Sequence, residues 1–176
     1  NWGFSTWMQT GEDFTNRVGR GFDFSLYNAY IKGTNLFGAL DLKFGRQLVF
    51  AGVGRGSLDG ILMKLKTGKF SEYQFTVYGG FNTPGNYSFT NYGSLNNDFL
   101  AGARLGYYGP QGIVAGLSFM EKRRYQSGYS ATRLDSAFNT AEYRFETDSK
   151  QLTLAGFDFS YNYLNKLETF GKLYYD

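Results

Sequence analysis

Along most of the chain, apolar and polar residues alternate one for one. Between residues 36 and 47, one side of an extended strand would carry Leu36, Gly38, Leu40, Leu42 and Phe44. The other would carry Phe37, Ala39, Asp41, Lys43, Gly45 and Gln47. Between 73 and 81, Tyr73, Phe75, Val77, Gly79 and Phe81 alternate with Gln74, Thr76, Tyr78 and Gly80. The same beat runs through Phe99, Ala101, Ala103, Leu105 and Tyr107, and again through Phe157, Phe159, Tyr161 and Tyr163. Successive side chains of a strand point to opposite faces, so this period predicts strands with one apolar and one polar face. The pattern predicts nine of them, over residues 1–9, 22–31, 36–47, 57–66, 70–81, 97–108, 112–124, 150–163 and 167–176. No stretch carries a helical period.

The connections sharpen the prediction. Residues 32–35, 67–69, 109–111 and 164–166 are short and hold Gly, Asn or Pro, as hairpin turns require. Residues 10–21, 48–56, 82–96 and 125–149 form long connections, and short and long alternate along the chain. Short turns on one side and long loops on the other are the signature of an all-β, antiparallel up-and-down transmembrane β-barrel. Strands of about 9–11 residues suffice to cross the hydrocarbon layer, whereas soluble strands average about five or six. Tyr30, Tyr107, Tyr108, Tyr161 and Tyr163 gather beside the short turns, where an amphipathic ring suits a membrane–water interface. A soluble barrel would alternate in the same way but needs an apolar interior and a polar exterior.

Composition excludes several function classes. Aromatic residues make up 20% of the 176 residues, which excludes a disordered chain. There is no Cys and no His, so a disulfide framework, a thiolate nucleophile, Cys-ligated zinc and a Ser-His-Asp triad are all excluded. The sequence therefore predicts no enzyme, no catalytic residues, no metal and no cofactor. A net charge of +3, with no basic cluster beyond Lys122-Arg123-Arg124, predicts no nucleic-acid partner. The longest nearly apolar stretch, 113–120, is far below the roughly 18 residues of a membrane helix.

The polar faces of the predicted strands carry Asp41, Lys43, Lys64, Lys66, Arg104 and Asp158. In a barrel these would line the lumen, their basic excess favouring anions. Arg46, Arg55 and Asp59 flank one Gly-rich loop and are candidates for a constriction. An Arg46–Asp59 pair that fixes strand register is the simpler reading. Glycines 52, 54 and 56 lack the following helix and Lys-Ser/Thr ending of a nucleotide loop and suit a sharp strand exit instead.

Residues 25–81 resemble porin-like barrels of the alginate-export family of Gram-negative outer membranes. The resemblance rests on Leu26-Tyr27-Asn28-Ala29-Tyr30-Ile31 in one strand and Phe44-Gly45-Arg46-Gln47 closing the next. It continues through Gly52, Gly54, Arg55 and Gly56 in a loop and Leu58-Asp59-Gly60-Ile61 opening the return strand. It implies a passive channel, and in that family an anionic polysaccharide crosses a basic lumen. The loop here carries Arg55 as its single Arg, where the family usually has more and a Trp before the return strand. Family barrels also have about twice as many strands. Nine strands is odd, and the last residues, 172–176, lack the terminal Phe usual in such barrels, so the chain is expected to be part of a longer barrel.

The functional expectation is an outer-membrane, porin-like passive channel for hydrophilic solutes, including anionic ones or polymers. Its partners would be outer-membrane lipid and the solute, with an envelope protein or further copies left open. The alternative is a non-channel barrel whose long loops bind a partner as an adhesin or structural protein. A soluble aromatic-rich barrel that holds an apolar ligand is a third reading.

Overall fold

The computed structural model describes residues 1–11, 23–70, 72–84, 87, 92, 94–125, 128–134, 140–145, 149–163 and 167–175. The elements are β1 (Trp2–Gly11), β2 (Asp23–Leu36), β3 (Leu40–Ala51), β4 (Gly54–Thr67), β5 (Tyr73–Asn82), β6 (Phe99–Tyr108), β7 (Ile113–Arg124), β8 (Tyr129–Leu134), β9 (Thr140–Phe145), β10 (Lys150–Tyr163) and β11 (Leu167–Tyr175). Nine of them form one antiparallel sheet in the order β1-β2-β3-β4-β5-β6-β7-β10-β11, and among the described residues β8 and β9 pair with each other alone. Strands β1 and β11 are the two edges, so the sheet is open. Among the described residues the only helical segment is a 3-10 turn at Pro110–Gly112.

Period two places each residue on one of two faces, and the register carries both faces unbroken from β3 to β10. One outer row reads Leu42, Met63, Val77, Ala103, Phe119, Ala155; the next reads Leu40, Leu65, Phe75, Leu105, Leu117, Phe157. These rows are apolar yet open: Leu117 is 59% exposed and Phe75 46%. The inner rows hold the charges. One runs Asp41, Lys64, Thr76, Arg104, Ser118, Gly156, and its neighbour runs Lys66, Gln74, Gly106, Gly116, Asp158.

The buried core lies on the inner face, and a hairpin makes it. Gly45, Gly60 and Gly80 stand in register across β3, β4 and β5. A Cβ on Gly45 would meet the Ala29 carbonyl, one on Gly60 the Gly79 carbonyl, and one on Gly80 the Asp59 carbonyl. Gly45 also has φ +123°, a conformation open to glycine. Without side chains here the backbones crowd into a crease. Beyond it, the β3–β4 hairpin folds over the inner face. Val49, Ala51, Val53 and Leu58 of the hairpin pack with Tyr78, Leu100 and Met120, and Leu58 and Leu100 are fully buried. Each such side chain contributes roughly 1.5–3 kcal/mol when taken out of water.

Three connections differ from expectation. Residues 48–56 are not a long loop: β3 and β4 run on to Ala51 and Gly54, joined by a tight Gly52-Val53 turn with Gly52 at φ +65°. The strict alternation of short and long connections therefore fails at this hairpin. The expected turn at 32–35 lies at 37–39, because Asn35, Phe37 and Gly38 all adopt positive φ and β2 stays extended to Leu36. Within the expected loop 125–149, β8 and β9 form their own hairpin, with Tyr129 stacked on Phe145 at 5.2 Å. The expected connections 10–21 and 164–166 lie almost wholly or wholly outside the described residues.

Candidate functional site

The six inner-face candidates share one face, as their alternation demands, and the register brings four of them into two ion pairs. Lys66 Nζ stands 2.5 Å from Asp41 Oδ2, and Arg104 Nη2 stands 2.7 Å from Asp158 Oδ2. Asp41 also accepts the Asn35 backbone N–H at 2.9 Å, which ties the β2 end to β3. Arg104 Nη1 donates to the Tyr108 hydroxyl at 2.9 Å. Gly116 makes room for this second pair, because a Cβ there would meet the Arg104 guanidinium at 2.7 Å and the Asp158 carboxylate at 2.8 Å. Lys43 lies 5.1 Å from the Tyr30 ring centre, in cation–π range.

The folded hairpin roofs part of this face. The Val53 N–H donates to Ser118 Oγ at 3.1 Å, and Ser118 Oγ in turn donates to the Gly156 carbonyl at 3.4 Å. The hairpin tip is thus fastened to β7 and reaches β10, where a Cβ on Gly156 would strike Val53. Beside the hairpin, where its exposed face meets the sheet, lies a cavity of about 300 Å³. Leu48 and Phe50 line it from the hairpin, and Asp41, Lys43, Lys64 and Arg104 line it from the sheet.

The three loop candidates divide. Arg46 and Asp59 face each other across β3 and β4 and form a bidentate pair, Nε–Oδ1 at 2.7 Å and Nη2–Oδ2 at 2.9 Å. Arg46, only 2% exposed, also donates to the carbonyls of Leu26 and Tyr87 and to the Tyr92 hydroxyl. Tyr92 donates to Asp59 and packs edge-on against Phe81. Burial and the Asp59 carboxylate push the Tyr92 hydroxyl above its ordinary pKa, against the pull of Arg46. This cluster holds Tyr87 and Tyr92 over the outer face, beyond the apolar rows. Arg55 is not part of it; it lies opposite Phe50 near the hairpin tip and is exposed.

Sequence reasoning missed Leu48, Phe50 and Ser118 as site residues. Their signal was present: residues 48–51 read Leu-Val-Phe-Ala, apolar on both sides of the alternation. In the structure one of these faces, Val49 and Ala51, is buried in the core, and the other, Leu48 and Phe50, is exposed toward the cavity. Among the described residues, no group of three or more Asp or Glu is placed to hold a metal ion. Compared with known proteins, no family model matches the chain, and no curated protein or solved structure matches it.

Proposed function

We propose that this chain forms wall of an outer-membrane β-barrel and works as a porin-like passive channel for hydrophilic, anionic solutes or polymers. The observation that carries the reading is the inversion of the two faces. Leu40, Leu65, Phe75, Leu105, Leu117 and Phe157 make an apolar row with most members exposed, while Asp41, Lys64 and Arg104 sit half-buried behind them. A water-soluble sheet hides its apolar face; one that meets lipid turns it outward. The ends of the belt fit the same environment. Arg46, Asp59 and Arg123 stand in register at the loop end, and the Tyr73–Tyr107 ring pair, 5.2 Å between centres, stands at the turn end. The main-sheet strands β2 to β7 run 10 to 14 residues, enough to cross at the tilt such barrels have.

Transport in this reading is diffusion past fixed charges, with no covalent chemistry. On the inner face Lys43, Lys64, Lys66 and Arg104 outnumber Asp41 and Asp158, which gives a local basic excess that favours anions. The test is a planar bilayer with the purified protein. Stepwise ohmic currents with chloride preferred over potassium are expected; no steps, or a clear preference for potassium, would defeat the reading.

A second reading draws on β8 and β9. Among the described residues this hairpin is separate from the nine-stranded sheet, and it exposes Tyr129, Arg133 and Tyr143. Amphipathic rings held by strand pairing are good contact groups, so a barrel that displays this hairpin to an envelope or surface partner is the alternative. Silent bilayers together with hairpin-dependent binding to such a partner would favour it.

A further inference from the structure

The cavity beside the β3–β4 hairpin has two unlike walls. Leu48 and Phe50 stand on the hairpin side, 51% and 75% exposed, although the opposite face of the same hairpin is buried. Lys43, Lys64 and Arg104 stand on the sheet side. The nearby carboxylates are engaged, Asp41 by Lys66 and Asp158 by Arg104. Neither Lys43 nor Lys64 forms a salt bridge among the described residues. The volume, about 300 Å³, is at the small end of ligand sites, which span about 300–1,000 Å³.

An inorganic anion would answer the two ammonium groups and leave the Leu48–Phe50 wall in water. A neutral apolar molecule would cover that wall and leave the cations without counter-charge. A ring that carries one carboxylate answers both at once. We infer that this cavity is a binding site for small cyclic organic acids, with the carboxylate on Lys43 and Lys64 and the ring against Leu48 and Phe50. The hairpin holds the apolar wall in place through Val53 and Ser118. The inference rests on the channel reading for its consequence, a class of permeating solute, but occupancy of the site can be read without any bilayer.

Isothermal titration of the full chain in detergent at low ionic strength tests it, with benzoate, acetate and benzyl alcohol as probes. Benzoate is expected to bind, with acetate and benzyl alcohol each at least roughly tenfold weaker. Replacing both lysines, Lys43→Gln with Lys64→Gln, is expected to weaken benzoate by about tenfold or more and to leave benzyl alcohol unmoved. Phe50→Ala is expected to weaken benzoate and leave acetate unmoved. Equal affinity of the parent for benzoate and acetate overturns the inference without any variant.

A fold check accompanies the variants. The chain has no Cys, so Val53→Cys with Gly156→Cys forms a single disulfide if the hairpin tip rests on β10. Failure of that disulfide in the parent also overturns the inference. Unchanged benzoate affinity in a cross-linked lysine variant does so too. Benzoate binding without conductance would sink the channel and keep the site; conductance without benzoate binding would do the reverse.

Discussion

Truncation of Arg46 to alanine removes several hydrogen bonds from one buried point. Its guanidinium meets Asp59 at 2.7 and 2.9 Å, the Leu26 and Tyr87 carbonyls at 2.9 and 2.7 Å, and the Tyr92 hydroxyl at 2.8 Å. Removing one partner of a buried ion pair costs about 3–5 kcal/mol, because the other charge is left uncompensated. The Asp59 side chain is 16% exposed and keeps its Tyr92 hydrogen bond, so the lower end applies to the pair. Two stranded carbonyls add about 1 kcal/mol each once water can enter. The expected loss is about 5 kcal/mol, comparable with the whole stability of many domains. Adding Asp59→Ala removes the orphaned charge, so the double variant should fall short of the summed single losses by about 2 kcal/mol. Urea unfolding in detergent, followed by Trp fluorescence, reads this corner directly. Trp7 stacks on Tyr27 at 4.6 Å, and Tyr27 meets Tyr87 at 4.7 Å. A loss under about 1 kcal/mol, or strictly additive losses, would refute the reasoning.

Other predictions follow from the crease, the hairpin and the belt. Gly80→Ala should cost more than about 2 kcal/mol or prevent folding, since its Cβ would strike the Asp59 carbonyl; Gly79→Ala should cost little, its nearest neighbour being Ala101 Cβ at 3.9 Å. Denaturant midpoints of the two variants decide. Ser118→Ala removes the acceptor of the Val53 N–H and should destabilise by about 1 kcal/mol, with faster hydrogen exchange at the Val53 amide. In lipid, Leu117→Arg should cost about 2–4 kcal/mol, while the same change at an exposed position of a water-soluble sheet would be near neutral. Refolding into liposomes measures it.

The nine strands of the sheet were legible because apolar and polar residues alternate in the sequence of most of them. Phe99 to Tyr107 and Tyr73 to Phe81 state their own register. The shared face of Asp41, Lys43, Lys64, Lys66, Arg104 and Asp158 followed from the same parity. Pairing was another matter. That Arg104 meets Asp158 depends on β6, β7 and β10 lying side by side, and 25 residues of chain separate β7 from β10. The fold of the β3–β4 hairpin was hidden for a related reason. Its cause is a row of three glycines, Gly45, Gly60 and Gly80, which only register places together. The glycines at 52, 54 and 56 drew attention to a loop, whereas the apolar residues 48–51 before them were the better signal. The β8–β9 hairpin was missed because much of it is exposed on both faces, which weakens the alternation.

The central claim is that the outer face meets lipid while the inner face meets water. Because the chain has no Cys, single Cys replacements from Tyr73 to Val77 can each carry a spin label in liposomes. Collisions with dissolved oxygen and with a water-soluble nickel chelate then report lipid and water along β5. Odd positions such as Phe75 and Val77 should favour oxygen, and even positions such as Gln74 and Thr76 should favour the chelate. Chelate access equal on both faces of β5 would contradict the account.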